Sequence, residues 1–142
     1  MCDDRFLEMT GKQTIWDPLR KKEVALTPEE RVRQWFISVL TLQMEVPLHM
    51  MMSEAGFRLG GKQFRADILV YDRSVKPVMV VECKRPEVEL TATVLDQAVR
   101  YNMVLDVKYI VITNGNNTVV YGRNEEGFSF IRSLPKYNEM IK

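Results

Sequence analysis

Residues 64–84, FRADILVYDRSVKPVMVVECK, decide how the chain folds. Residues 64–71 and 77–84 are two mostly apolar runs of strand length, and the polar segment DRSVK at 72–76 between them has the composition of a turn. Pro77 suits the first position of a strand, where the ladder does not need a hydrogen bond from its nitrogen. The stretch therefore predicts an antiparallel β-hairpin that is charged at the end away from its turn.

The length of the predicted turn determines which residues of the two strands face each other. If residues 73–76 form the loop, Asp72 pairs with Pro77. Counting back along both strands from that pair sets Asp67 directly opposite Glu82. Opposed residues in an antiparallel pair hold their Cβ atoms about 4.5–5.5 Å apart, and two like charges at that distance are destabilising. The register therefore implies that these two acids need a partner.

Two further residues belong to this end of the hairpin. Lys84 lies two residues beyond Glu82, so strand alternation returns its side chain to the same face, whereas the Cys83 side chain points away. A divalent cation would relieve the repulsion, with oxygen ligands from Asp67, Glu82 and the Cys83 backbone carbonyl. Oxygen-only ligation favours Mg²⁺ or Mn²⁺ over Zn²⁺. The alternative is a surface ion pair of Glu82 with Lys84 at a strand end, with Asp67 bonded to a loop amide, but three charged groups on one face of apolar strands favour the metal site.

The same residues carry a resemblance to a known family. An acid on one strand followed by Glu-x-Lys on the next resembles the PD-(D/E)xK nuclease superfamily, although Ala66 stands where the superfamily's name has proline. A longer match, over roughly residues 27–121, resembles the N-terminal nuclease domain of type I restriction enzyme R subunits. The segments that carry it are RADI (65–68), VVECKRP (80–86), QAVRYN (97–102) and ITNG (112–115).

The resemblance implies roles for individual residues. Asp67 and Glu82 would hold the metal ion, and Lys84 would orient the attacking water or neutralise charge in the transition state. Gln97 would point at this cluster, and Tyr101, four residues further along a predicted helix at 91–105, shares its face. The alternative for Gln97 is a polar residue at the helix edge.

Contacts to the substrate are expected from three residues near the predicted site. Arg65 precedes Asp67 by two positions, Arg85 directly follows Lys84, and Tyr101 belongs to the Gln-x-x-x-Tyr segment. The resemblance implies DNA as the substrate, although the sequence itself offers no evident specificity element: no helix-turn-helix, no zinc finger and no aromatic stacking platform.

A second helix begins with an N-terminal signature at Thr27. Thr27 is a good N-cap, Pro28 fits the first helical position, and Glu30 completes a capping box. The family resemblance gives Glu30 another role, as a further carboxylate and metal ligand contributed by the first helix. The capping role explains Glu30 from local sequence alone, and the two roles are compatible.

Composition limits the classes of protein to which the chain can belong. Its 142 residues, 46% hydrophobic and 27% charged, are typical of one globular domain and exclude disordered and fibrous classes. No apolar run is long enough to span a membrane, and the opening residues lack the form of a signal peptide. Two cysteines make neither a disulfide framework nor a zinc site. We therefore expect a cytoplasmic protein with no membrane partner.

We predict a single α/β domain with a restriction-endonuclease-like mixed sheet of four to six strands, flanked by the helices that begin near Thr27 and Thr91. The expected segments are an N-terminal arm at 1–26, the domain at 27–134 and a C-terminal tail at 135–142.

The leading functional hypothesis is a Mg²⁺- or Mn²⁺-dependent DNA endonuclease linked to type I restriction-modification. Its partners would be DNA and other restriction-modification subunits, and self-association is left open. The alternative is a module that binds nucleic acid or a restriction subunit and does not cleave alone. A third hypothesis is an RNA-directed or repair nuclease of the same superfamily.

Overall fold

The computed structural model describes residues 13–142, and its main element is one six-stranded mixed sheet. The strands are β1 (Thr14–Asp17), β2 (Lys22–Ala25), β3 (Met51–Leu59), β4 (Lys62–Tyr71), β5 (Pro77–Cys83), β6 (Tyr109–Thr113), β7 (Thr118–Asn124) and β8 (Gly127–Ile131). The α-helices are α1 (Pro28–Ser38), α2 (Ala92–Asn102) and α3 (Tyr137–Met140). Within residues 13–142, no helix is long and apolar enough to cross a membrane.

The sheet has the strand order β3-β4-β5-β6-β7-β8. Only β5 and β6 pair in parallel, and α2 lies in the connection between them. The remaining neighbours pair antiparallel. The predicted strand–helix–strand unit with parallel strands is therefore present, and the predicted mixed sheet with flanking helices is confirmed.

Both faces of the central strands are covered, which explains why β4, β5 and β6 are nearly continuous apolar runs. Alternate residues of each strand enter two separate apolar clusters. The cluster that includes α1 and α3 contains Ile68, Val70, Met79, Val81 and Val111. The cluster that includes α2 contains Leu69, Val80, Ile110, Ile112 and Tyr121. The result is a three-layer arrangement with one helix layer on each side of the sheet.

The turn of the β4–β5 hairpin differs from the predicted one. Asp72 does not pair with Pro77: its backbone N–H donates to the Lys76 carbonyl at 2.8 Å, and Tyr71 pairs with Pro77. The predicted loop was therefore wrong by one residue. A β-bulge next to Tyr71 compensates, because beyond it the register again matches the prediction, with Ile68 opposite Val81. The pairing of the two strands ends at Ile68 and Val81, so the predicted pairing of Asp67 with Glu82 lies one residue beyond the last paired residues and stays a prediction.

Part of the segment predicted as an arm forms a two-stranded sheet of its own, β1–β2, while residues 1–12 lie outside the described residues. Asp17, at the end of β1, is fully buried and accepts hydrogen bonds from the Ser53 hydroxyl (2.8 Å), the Leu19 amide (2.8 Å) and Arg20. These bonds fasten the hairpin to β3.

At the other end of the chain, the segment predicted as a tail contains α3. Tyr137 and Met140 of this helix are buried in the α1 side of the core. The Tyr137 hydroxyl donates to the Tyr71 carbonyl at 2.7 Å, which ties the helix to the end of β4.

The buried Asp17 makes a testable contribution to stability. Burial opposes its ionisation, but the bonds from Arg20, Leu19 and Ser53 outweigh burial and hold its pKa below the ordinary 3.8. A carboxyl with a lowered folded-state pKa stabilises the fold above its unfolded-state pKa, and that stability is lost as the pH falls through the folded-state pKa. We expect Asp17→Asn to lower the free energy of unfolding at pH 7 by about 1–3 kcal/mol.

The pH dependence is the specific part of this prediction. Urea unfolding at decreasing pH should show that the free energy of unfolding of Asp17→Asn approaches that of the native protein only below about pH 4. Only there does the native protein lose the stability that the ionised Asp17 carboxylate contributes. The matched control is Asp106→Asn, an exposed acid. Equal stability of the Asp17 and Asp106 variants at pH 7 would contradict the assignment.

Candidate active site at the open end of the hairpin

A cleft of about 340 Å³, here called the hairpin cleft, lies at the end of β4 and β5 away from their turn. It gathers charged and polar residues from four segments of the chain. Its polar and charged lining consists of Glu29, Arg65, Asp67, Glu82, Lys84, Arg85, Tyr101 and Asn102. A larger groove of about 600 Å³ is mostly apolar and shares none of these residues. The structure therefore brings together all the sequence-predicted site residues except Glu30 and Gln97.

The sheet is distorted where β3 and β4 reach the cleft. In β4, Ala66 belongs to the cluster on the α2 side and Ile68 to the cluster on the α1 side, so the alternation of faces reverses at Asp67. The register sets Asp67 against Glu54 of β3, whose φ of +50° is in the left-handed region. A non-glycine residue in that region costs about 1–2 kcal/mol. Because of this distortion, the Asp67 side chain contacts Arg33 of α1 and also lines the cleft.

Both oxygens of Asp67 accept hydrogen bonds from the protein. Oδ2 accepts the Cys83 backbone N–H at 2.7 Å, a bond across the β4–β5 hairpin. Oδ1 accepts Nη2 of Arg33 at 2.9 Å, a bond from helix α1. The carboxylate is therefore held by two different elements before any substrate or ion binds.

Glu82 is held in the same manner from the other side. Its Oε1 accepts Nδ2 of Asn102 at 2.8 Å, and its Oε2 pairs with Nζ of Lys84 at 2.8 Å. Asn102 is buried at the end of α2, and its amide also donates to the Ala98 carbonyl at 2.7 Å. The Lys84 backbone N–H donates to the Thr113 carbonyl at 2.8 Å, which fixes the chain just after β5.

Arg33 is the cation that connects the acids around Asp67. Only 3% of this residue is exposed. Its Nη1 donates to Glu30, and its Nη2 contacts Glu54 (2.7 Å), Asp67 (2.9 Å) and, at 3.6 Å, Glu29. Its Nε is buried with no hydrogen-bond partner. These five residues are referred to below as the Arg33 network.

Four acids share the Arg33 guanidinium, and among the described residues a second cation reaches only two of them, Arg20 at Glu30 and Arg65 at Glu54, so the negative charge is incompletely compensated. Burial opposes the charge of Arg33, but its bond to Asp67 and its attraction to several acids raise its pKa above the ordinary value. Burial raises the pKa of Asp67, and this outweighs the stabilising Cys83 N–H and Arg33. Burial and the neighbouring Asp67 likewise raise the pKa of Glu29. The cleft is therefore a place where an additional cation would be stabilised.

Glu30 does not complete the predicted capping box. The Thr27 hydroxyl does accept the Glu30 backbone N–H at 3.1 Å, as expected of an N-cap. The Glu30 side chain turns inward and is buried, where it accepts from Arg33, from Arg20 (2.7 Å) and from Gln34 (3.0 Å). The side-chain half of the capping box was therefore wrong, because long-range ion pairs outcompete a local bond. Glu30 is not part of the cleft lining.

Gln97 is exposed on α2 and is not part of the cleft lining. On the same helix, Tyr101 and Asn102 do reach the cleft. Sequence reasoning missed Asn102 and Arg33. Asn102 directly follows the Gln-x-x-x-Tyr segment, and Arg33 lies three residues after Glu30, a spacing that sets the two on one side of a helix.

The donor atoms of the cleft fit a divalent cation with hard oxygen ligands. Each oxygen of Asp67 and Glu82 accepts one hydrogen bond or ion pair, and a carboxylate oxygen has a second lone pair available. Mg²⁺ is commonly held by one or two carboxylates, with waters and substrate phosphates completing its shell. In the part of the chain that the structure describes, no group of three His, Cys, Asp or Glu side chains is arranged to hold a metal ion.

The Arg33 network predicts a large cost for removing its cation. We expect Arg33→Met to lower the free energy of unfolding by about 3–5 kcal/mol at pH 7 in EDTA, because Asp67 would lose its cationic partner and the buried Glu30 would keep only Arg20. Adding Asp67→Asn to Arg33→Met should restore part of the loss. Chemical denaturation of the two single variants and the double variant measures this coupling.

The control for this cycle is Arg100→Met. Arg100 is an exposed cation on α2 whose one ion pair, with Asp96, is also exposed, so its loss should cost less than about 1 kcal/mol. If Arg33→Met cost no more than Arg100→Met, the Arg33 network would not hold the site together.

Comparison with known proteins agrees with this geometry. Residues 28–135 match the family model described as "Type I restriction enzyme R protein N terminus (HSDR_N)". Among solved structures, a DUF820 protein from Anabaena variabilis ATCC 29413, proposed to be a nuclease, aligns with a TM-score of 0.52 over 97% of this chain and 89% of that one. At 12% identity this likeness shows a shared fold, which is restriction-endonuclease-like. No match was found among curated protein sequences. Because the matched region covers most of the chain, the protein belongs to the family of type I restriction enzyme R protein N-terminal domains.

Proposed function

We propose that this protein is a metal-dependent DNA endonuclease that acts with type I restriction-modification components. The observation that carries the proposal is the hairpin cleft, in which Asp67 and Glu82 lie with Lys84 and a buried acid has a raised pKa. Two carboxylates and an ammonium at the end of a buried hairpin suit hydrolysis of a phosphodiester better than they suit a structural role, since negative charge there is incompletely compensated.

Asp67, Glu82 and the backbone carbonyl of Cys83 are the groups that would hold Mg²⁺ or Mn²⁺. When bound, such an ion supplies a Lewis acid for the phosphate and lowers the pKa of a bound water. Arg33 and the Cys83 N–H orient Asp67, and Asn102 orients Glu82. Hydrogen bonds of this kind to metal-binding carboxylates fix their direction and are typically worth 10–100-fold in metal affinity.

Lys84 would act on the substrate. Its ammonium is paired with Glu82 and remains partly exposed at the cleft. An ammonium in this position stabilises the charge that develops on the phosphate oxygens in the transition state, or orients the attacking water. Removal of such an electrostatic contact costs about 10²–10³ in rate.

The rim of the cleft would bind the DNA backbone. Arg65 and Arg85 line the cleft and keep most of their side chains exposed. Exposed arginines beside an acidic cleft can pair with phosphates on either side of the one that reacts. Catalytic roles for Gln97 and Glu30 remain predictions, as does action in the cytoplasm with other restriction subunits.

Metal binding is the first test of the proposal, because it does not depend on finding the right DNA or partner subunit. We expect Mn²⁺ or Mg²⁺ to raise the thermal unfolding midpoint by several degrees, since an ion at 100 times its Kd stabilises the folded state by about 2.7 kcal/mol. Asp67→Asn should abolish the shift. Glu125→Gln, which removes an exposed acid in the β7–β8 turn, should keep it. A shift that is the same in all three proteins would rule out this metal site.

Cleavage separates the nuclease from the alternative. We expect Lys84→Met to retain the metal-induced shift and to reduce DNA cleavage about 10²–10³-fold, since Lys84 is not a metal ligand but acts on the phosphate. Gel assays with plasmid, linear duplex and single-stranded DNA, in Mg²⁺ and in EDTA, measure this. A protein that binds metal and DNA but cleaves no DNA would instead favour the module that binds and requires other subunits to cleave.

A further inference from the structure

One residue that lines the hairpin cleft, Tyr101, is aromatic, and the chemistry proposed above does not use it. Phe57, Phe64 and Tyr101 form a row of rings, here called the aromatic wall. The ring centroids of Phe57 and Phe64 are 5.1 Å apart, and those of Phe64 and Tyr101 are 4.6 Å apart. Tyr101 is the last ring of the row and the one that lines the cleft.

The Tyr101 ring is held in place at both ends. It stacks on Phe64 with only 14° between the ring planes. Its hydroxyl accepts the Arg65 backbone N–H at 3.3 Å and lies 3.4 Å from the Arg65 carbonyl, to which it can donate. These contacts fix the plane of the ring relative to β4, two residues from Asp67.

One face of this ring is open. Phe64 is only 5% exposed and covers one face of Tyr101, yet 48% of Tyr101 is exposed. Because the two rings are nearly parallel, the exposed area of Tyr101 lies on its opposite face and edges.

The charges around the open face indicate what could cover it. Arg65, Lys84 and Arg85 line the same cleft as Tyr101. An apolar ring face beside cations matches a nucleotide, whose base stacks while its phosphate pairs with the cations. A base inside a duplex is stacked on its neighbours and exposes only its edges, so its face is not available. An unpaired base has a free face.

We propose that Tyr101 is a stacking platform for an unpaired nucleobase adjacent to the phosphate in the cleft. The preferred substrate is then DNA with unpaired nucleotides, such as single strands, overhangs or flaps, rather than continuous duplex. This inference rests on the proposed function of the cleft, and it names the class of DNA on which that cleft acts.

The test uses a single-stranded oligonucleotide that contains 2-aminopurine, whose fluorescence is quenched by stacking, in EDTA so that no cleavage occurs. We expect the native protein to quench the probe and to bind it more tightly than a duplex of the same sequence. Tyr101→Leu should weaken single-strand binding roughly 5- to 150-fold, the contribution of stacking one base, and reduce the ratio of duplex Kd to single-strand Kd toward one. Tyr101→Phe retains the ring, so it should quench the probe as the native protein does and keep most of the native ratio of duplex Kd to single-strand Kd.

The matched control is Phe130→Leu. Phe130 is also an exposed, stacked aromatic ring, at 66% exposure and 4.8 Å from Tyr121, but it lies on β8 at the far edge of the sheet and does not line the cleft. Its substitution should leave both binding constants unchanged. Thermal unfolding of each variant establishes that it is folded under the assay conditions.

Two results would overturn the inference: equal affinity of the native protein for single strand and duplex, or a Tyr101→Leu variant that loses both affinities in equal proportion. Failure of the proposed function is a different result, because it appears in the metal-induced shift and in cleavage. Asp67→Asn should lose that shift but keep the Tyr101-dependent quenching, so stacking and catalysis are measured separately.

Discussion

The buried guanidinium of Arg33 is the constraint on which the arrangement of the site depends. It pairs with Glu30 on its own helix, with Glu54 on β3 and with Asp67 on β4, so one side chain fixes α1 against two strands. Glu30 in turn pairs with Arg20, which binds Asp17, so the same chain of ion pairs extends to the N-terminal hairpin. A buried cation left without its acids is costly, and so is each acid left without the cation. The ion pairs therefore specify one mutual position for these elements.

That constraint explains the distortion of the sheet at Glu54 and Asp67. A regular ladder would keep the alternation of faces intact along both strands. Instead Glu54 adopts a positive φ, the faces reverse at Asp67, and both carboxylates contact Arg33. The backbone strain, about 1–2 kcal/mol, is of the size that charge-assisted hydrogen bonds to a buried guanidinium can offset. Strain of this kind is concentrated at functional sites, where a side-chain direction matters more than a regular strand.

Sequence reasoning succeeded where the information is local and failed where it depends on tertiary contacts. The alternation and length of the β4 and β5 runs predicted the hairpin, and its register from Ile68 to Val70 was correct even though the turn was placed one residue off, since the bulge restored it. Thr27 was predicted as an N-cap for the same local reason. The Glu30 side chain and the positions of Arg33 and Asn102 are set by residues distant in sequence, and no local pattern distinguishes a buried arginine from a solvated one.

The incomplete compensation of the acids also connects the metal site with the aromatic wall. Without a divalent cation, Asp67, Glu82 and Glu29 repel a phosphate inside the cleft, so the exposed arginines at the rim, Arg65 and Arg85, are the groups that remain to pair with it. Stacking on Tyr101 does not depend on those charges, because a nucleobase is neutral. A nucleotide can therefore be held by its base at the wall while its phosphate stays at the edge of the cleft. Binding of the cation then makes the cleft attractive to that phosphate, so the two steps can occur in sequence and the acidic residues need not be neutralised before DNA arrives.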